Sequence, residues 1–120
     1  MSTSATFTAV VIDCTDPAAL AAFYQKATGW ELTYSDDDFA YLGNGGPIQL
    51  GFQRIDGYQA PAWPDAGKHS HLDRSVADLE HSTTELVGLG ASRPEFQPGE
   101  GKWVVLLDPE GHPFCLASAG

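Results

Sequence analysis

The chain repeats itself, and this restricts its fold more than any other feature. Val10-Val11-Ile12-Asp13-Cys14-Thr15-Asp16 is a short, mostly apolar run ending at an Asp suited to capping a helix. Leu72-Asp73-Arg74-Ser75-Val76-Ala77-Asp78 mirrors it 62 positions later. Each run reads as a strand followed by a helix. After Asp16, Pro17 sits at a first helical position, and Leu20, Phe23, Tyr24 and Ala27 follow at the spacing of one buried helical face, ended by Gly29. After Asp78 a weaker, more polar stripe of Leu79, Leu86 and Leu89 is ended by Gly90-Ala91.

Each half then carries strand signals separated by turns. In the first these are residues 30–34, an Asp36-Asp37-Asp38 turn, 39–42, a glycine turn over 43–46, and 48–54. In the second they are a short segment around Phe96, a Gly99-Glu100-Gly101 turn, residues 103–107, an Asp108-Pro109-Glu110-Gly111 turn, and 114–117. The halves close on one pattern, Gly45-Gly46-Pro47-Ile48-Gln49-Leu50 against Gly111-His112-Pro113-Phe114-Cys115-Leu116. The simplest parse is one α+β domain of two βαβββ modules, about 5–54 and 69–119. Residues 55–68 connect them. That segment holds Gly57, Pro61, Pro64 and Gly67, yet also Tyr58 and Trp63, which either pack against the body or overhang a binding groove as stacking groups.

Composition bounds the partners. With 120 residues and a net charge of −10, the chain has the wrong sign for nucleic acid or anionic membranes, and its surface favours a cationic small molecule. It has no long apolar run and no basic-then-apolar leader, so a cytoplasmic location is expected, with Cys14 and Cys115 reduced and packed in strands.

The strand period assigns the polar groups to faces. If His71 points inward, so do His69, Asp73 and Ser75, and by repeat alignment Ala9, Val11 and Asp13, while Leu72 and Val76 face the helices. Arg74 falls among the helix-facing positions, where pairing with an acidic side chain near a helix end is expected. Asp13 and Asp73 inside a concave sheet are costly without partners, so they either bond His71 and backbone donors or await a ligand bearing donors or positive charge. His69-x-His71-x-Asp73 offers metal-ligand chemistry. Same-face neighbours stand about 6.5–7 Å apart, so only adjacent pairs of the three can clasp one ion. The competing reading of His71 is a cavity histidine bonded to Asp73 or Asp13. No nucleophile elbow, phosphate loop or nucleotide fingerprint occurs, and Cys115 in its apolar run reads as an inert thiol.

The residues now assembled resemble the vicinal oxygen chelate superfamily, especially its glyoxalase-like and bleomycin-resistance-like branch. The carriers are Asp16-Pro17, Phe23-Tyr24, Gly29-Trp30, Trp63-Pro64-Asp65, His71-Leu72-Asp73 with Val76 and Asp78-Leu79, Leu89-Gly90-Ala91, and Asp108-Pro109-Glu110-Gly111-His112-Pro113-Phe114-Cys115-Leu116. The resemblance spans nearly the whole chain. It implies two βαβββ modules whose curved mixed sheets surround a cavity, often in a homodimer. It also implies a metal quartet on the first and last strand of each module, which here falls on Ala9, Gln49, His71 and Cys115. A methyl group cannot coordinate and a neutral amide is a poor ligand, so a degenerate site with no metal and no cofactor is expected.

The leading expectation is a non-catalytic small-molecule binder akin to the family's drug-sequestering resistance proteins. Its ligand-binding residues are expected among Asp13, Tyr41, Gln49, Tyr58, Trp63, His69, His71, Asp73, Trp103 and Cys115. The aromatics would stack on a planar ligand and the carboxylates would meet its cationic groups. The alternatives are a metal-dependent lyase, isomerase or dioxygenase, and a paralogue whose cavity is filled by its own side chains and which serves protein association.

Overall fold

A computed structural model describes residues 6–61 and 70–118. By contacts the chain divides into two units, Met1–Tyr58 and Gln59–Gly120.

In the first unit, β1 (Ala9–Cys14) leads to α1 (Pro17–Thr28), then β2 (Glu31–Ser35), β3 (Phe39–Gly43) and β4 (Gln49–Arg54). The strands form one mixed sheet in the order β1-β4-β3-β2, with β1 parallel to β4 and the two hairpins antiparallel. Local chemistry sets the limits of the helix. The Asp16 carboxylate accepts the Ala19 amide (3.2 Å), Pro17 occupies the first turn, and Gly29 ends the helix at φ 77°, where a side chain would be strained. Leu20, Phe23 and Tyr24 are buried, as their spacing requires, and Tyr24 stacks on Phe52 of β4 with ring centroids 5.4 Å apart. Each such side chain contributes roughly 1.5–3 kcal/mol through its burial. Cys14 is fully buried, and its thiol donates to the Gln53 carbonyl.

The second unit runs β5 (Leu72–Val76), α2 (Leu79–Gly88), β6 (Trp103–Leu107) and β7 (Pro113–Ser118), with the sheet order β5-β7-β6 and β5 parallel to β7. Asp78 caps α2 as Asp16 caps α1, accepting the His81 amide at 3.0 Å. The helix stripe differs from the sequence reading. Leu86 and Thr83 are buried, whereas Leu89 is 37% exposed. Thr83 reaches this position because its hydroxyl bonds the Leu79 carbonyl within the helix, which satisfies it internally.

The strand expected around Phe96 is absent. The second strand of the repeat survives only as a bridge between Ser92 and Leu107, and Phe96 lies outside any strand and is exposed. Pro94 and Pro98 flank this stretch, and neither has an amide to give to a ladder. Gln97 supplies the missing pairing with its side chain. Its Nε2 donates to the Val105 carbonyl and its Oε1 accepts the Val105 amide, both at 2.9 Å, so one side-chain amide substitutes for a strand along part of the β6 edge.

Candidate functional site

The alternation of β5 divides its side chains between two faces. Leu72, Arg74 and Val76 are part or fully buried, while His71, just before the strand, and Asp73 and Ser75 are exposed. Register carries the exposed face across the sheet. Asp73 pairs with Cys115 on β7, and Ser75 pairs with Ala117, which in turn pairs with Trp103 on β6. These residues, together with Arg74, line an open cavity of about 380 Å³.

Within the cavity, His71 Nε2 lies 3.1 Å from Asp73 Oδ1, the histidine–carboxylate contact foreseen in the sequence. The Asp73 side chain is 76% exposed and Asp13 is also exposed, so the expectation of two costly, sequestered carboxylates is corrected. One ligand atom each from His71, Asp73 and Cys115 lies within 4.8 Å of the other two. Nitrogen, oxygen and sulfur donors at about 2.0–2.3 Å from one zinc-like ion would stand about 3.3–3.8 Å apart in a tetrahedral arrangement. The three donors therefore fit a divalent ion after closing by about an ångström. The exposed His71 and Asp73 side chains have that freedom.

Arg74 is corrected in part. It occupies the helix-facing register, but its buried Nη1 has no hydrogen-bond partner, so the carboxylate expected there is missing. The cavity edge is fixed from outside β6. A Cβ at Gly99 would come within 2.3 Å of the Trp103 carbonyl oxygen and 2.7 Å of its ring, so only glycine lets the 99–101 turn lie against Trp103.

The other sequence candidates belong to the first unit or fall outside the described residues. Gln49 faces Ala9 in register, and its side-chain oxygen accepts the Thr33 hydroxyl. Tyr41 packs on Phe39 (6.2 Å, nearly parallel) and over Gly51, where a Cβ would come within 2.5 Å of its ring. Asp13 pairs in register with Gln53, and the half-buried Tyr58 donates its amide to the Ile55 carbonyl. Trp63 and His69 lie outside the described residues. The second unit thus brings together His71, Asp73, Trp103 and Cys115. The binding set read from the sequence lacks Arg74, Ser75 and Ala117; the period of two carried by Asp73 and Cys115 points to Ser75 and Ala117, whereas Arg74 sits in the opposite register and carries no such signal.

The shifted titrations lie in the β2–β3 turn and beside it. Asp36 accepts the Tyr34 hydroxyl and the Asp38 and Phe39 amides, which hold its carboxyl below the ordinary range, while the bonded carboxylate pushes the Tyr34 hydroxyl up. Arg54 is raised by its bond and charge contact with Asp38 (2.8 Å) and by the charge of Asp56. All of these groups are exposed and shape a turn.

No curated protein matches the chain. Among solved structures, a glyoxalase/bleomycin resistance protein/dioxygenase family enzyme from Burkholderia phytofirmans aligns with TM-score 0.74 and 21% identity, over 97% of this chain and all of that one. A glyoxalase family protein from Enterococcus faecalis aligns with TM-score 0.68 and 23% identity, over 95% and 98%. A lactoylglutathione lyase from Agrobacterium tumefaciens aligns with TM-score 0.61 and 17% identity, over 99% and 96%. At these identities the likeness establishes the fold. The family model of the glyoxalase-like domain matches residues 9–117, nearly the whole chain, and the chain therefore belongs to the glyoxalase-like domain family.

Proposed function

We propose that the chain binds a planar, positively charged small molecule, without transforming it, in the cavity of the second unit. The observation that carries this reading is the sharing of one open cavity by Trp103 and the His71–Asp73 pair. Trp103 offers a flat apolar face and Asp73 a solvated negative charge. Together they give the two halves of a cation–π and ion-pair contact. The volume, about 380 Å³, falls within the range of small-molecule pockets, and a net charge of −10 steers cations toward it. A catalytic reading draws on the lyase among the similar structures. Ala9 and the Thr33-bonded Gln49, at two of the four ligand positions the family resemblance implies, weigh against it.

The test uses Trp103 as its own reporter. The chain has three tryptophans, so a Trp30→Phe, Trp63→Phe background leaves Trp103 alone. With chelator present, the planar cations proflavine and ethidium are expected to quench its fluorescence saturably, and the anionic dye fluorescein is not. Asp73→Asn should weaken the cationic probes about tenfold, equivalent to about 1.4 kcal/mol. Equal quenching by the anionic dye, or unchanged affinity in Asp73→Asn, would refute the reading.

A further inference from the structure

The ligand positions implied by the family resemblance are shared between two modules, and in this chain the first module supplies a methyl group and an engaged amide. The second unit has a donor of its own that this pattern does not include. Asp73 stands directly opposite Cys115 in the β5–β7 register, two residues along from His71, on the exposed face of the sheet. We propose that Asp73 completes, with His71 and Cys115, a three-donor site for a borderline divalent transition metal such as Zn²⁺, contained wholly within the second unit.

The donors form an imidazole, carboxylate and thiolate set, chemistry that suits zinc and cobalt and disfavours magnesium or calcium, which need oxygen ligands. They converge from two adjacent parallel strands, so the sheet hydrogen bonds hold two of the three Cα atoms at fixed separation before any ion arrives. Three protein donors in an open cavity leave coordination positions for water, the composition of an exchangeable rather than a sealed site. The His71–Asp73 contact at 3.1 Å would give way to two bonds to the ion, with the thiol proton of Cys115 released to solvent on binding. The site needs no organic ligand, but an ion there and a cationic ligand would compete for Asp73.

Cobalt(II) is the probe. Titrated into the reduced, metal-free full chain, Co²⁺ is expected to produce visible d–d bands and a near-ultraviolet thiolate charge-transfer band saturating at one ion per chain. Zn²⁺ should abolish both. Cys115→Ser should remove the charge-transfer band. Asp73→Cys separates a true ligand from a group that merely orients His71, because a second thiolate on the ion roughly doubles the charge-transfer intensity per cobalt, whereas an orienting residue leaves it unchanged. Absence of the band in the native chain, or an unchanged band in a folded Asp73→Cys variant, would overturn the proposal. The tryptophan titration, performed with chelator, fails or succeeds independently. Quenching without cobalt binding removes the ion site only, and cobalt binding without quenching removes the organic ligand only.

Discussion

Asp108 organises the turn between β6 and β7 through one side chain. It is 3% exposed, and its Oδ1 accepts the amides of Glu110 (2.9 Å) and His112 (3.0 Å) while its own amide bonds the His112 carbonyl. The turn it organises delivers the chain from β6 into β7, and so sets the height of Cys115 opposite Asp73. Asp108→Ala should leave two part-buried amides without acceptors and cost about 1–3 kcal/mol in urea unfolding. Asp108→Asn retains the accepting oxygen and should cost clearly less; equal losses would show that the hydrogen bonds are not the source of the stability. In the sequence Asp108 is visible as a turn residue, because Asp-Pro-Glu-Gly is local turn chemistry. Its burial is not, since that depends on what packs over the turn. Arg74 makes the same point in reverse. Alternation alone places it on the helix side, but whether its guanidinium finds a carboxylate is a matter of tertiary packing, and its Nη1 finds none.

At the scale of elements, the repeat was readable wherever neighbouring residues decide the outcome. Asp16 and Asp78 cap their helices, Gly29 closes one of them, and β6 occupies the very residues that the apolar run marks out. The departure lies between α2 and β6, where a strand present in the first unit shrinks to the Ser92–Leu107 bridge. Phe96 gave a misleading signal because a single aromatic between prolines cannot supply the ladder amides that a strand requires. A side-chain amide that imitates a strand has no periodicity, so Gln97 carries no sequence signature. Its removal is therefore informative. Gln97→Ala should expose the fully buried Val105 to an unpaired amide and carbonyl, lower stability by about 1–3 kcal/mol, and abolish the slow hydrogen exchange of the Val105 amide. Retained protection at Val105 would mean that another group covers that edge.

For the molecule as a whole, the repeat provides two mixed sheets with unequal equipment. The first-unit positions carry Ala9 and a Gln49 already bonded to Thr33, while the second unit gathers His71, Asp73, Trp103 and Cys115 on one face. Among the described residues no helix is long and apolar enough to cross a membrane. The cavity face was legible from the period of two along β5 and β7; the cavity itself was not, because register between strands distant in sequence brings Trp103, Ala117 and Ser75 into one row. The account rests on that face being the one a ligand meets, and side-chain NMR tests it most directly. On titration with proflavine, the Ala117 methyl and the Trp103 indole N–H should shift together and saturate at one ligand per chain. The methyls of Val104, Leu106 and Leu116 on the opposite, buried face should stay in place. Shifts concentrated on those buried methyls, or no saturable shift at Ala117 and Trp103, would contradict it.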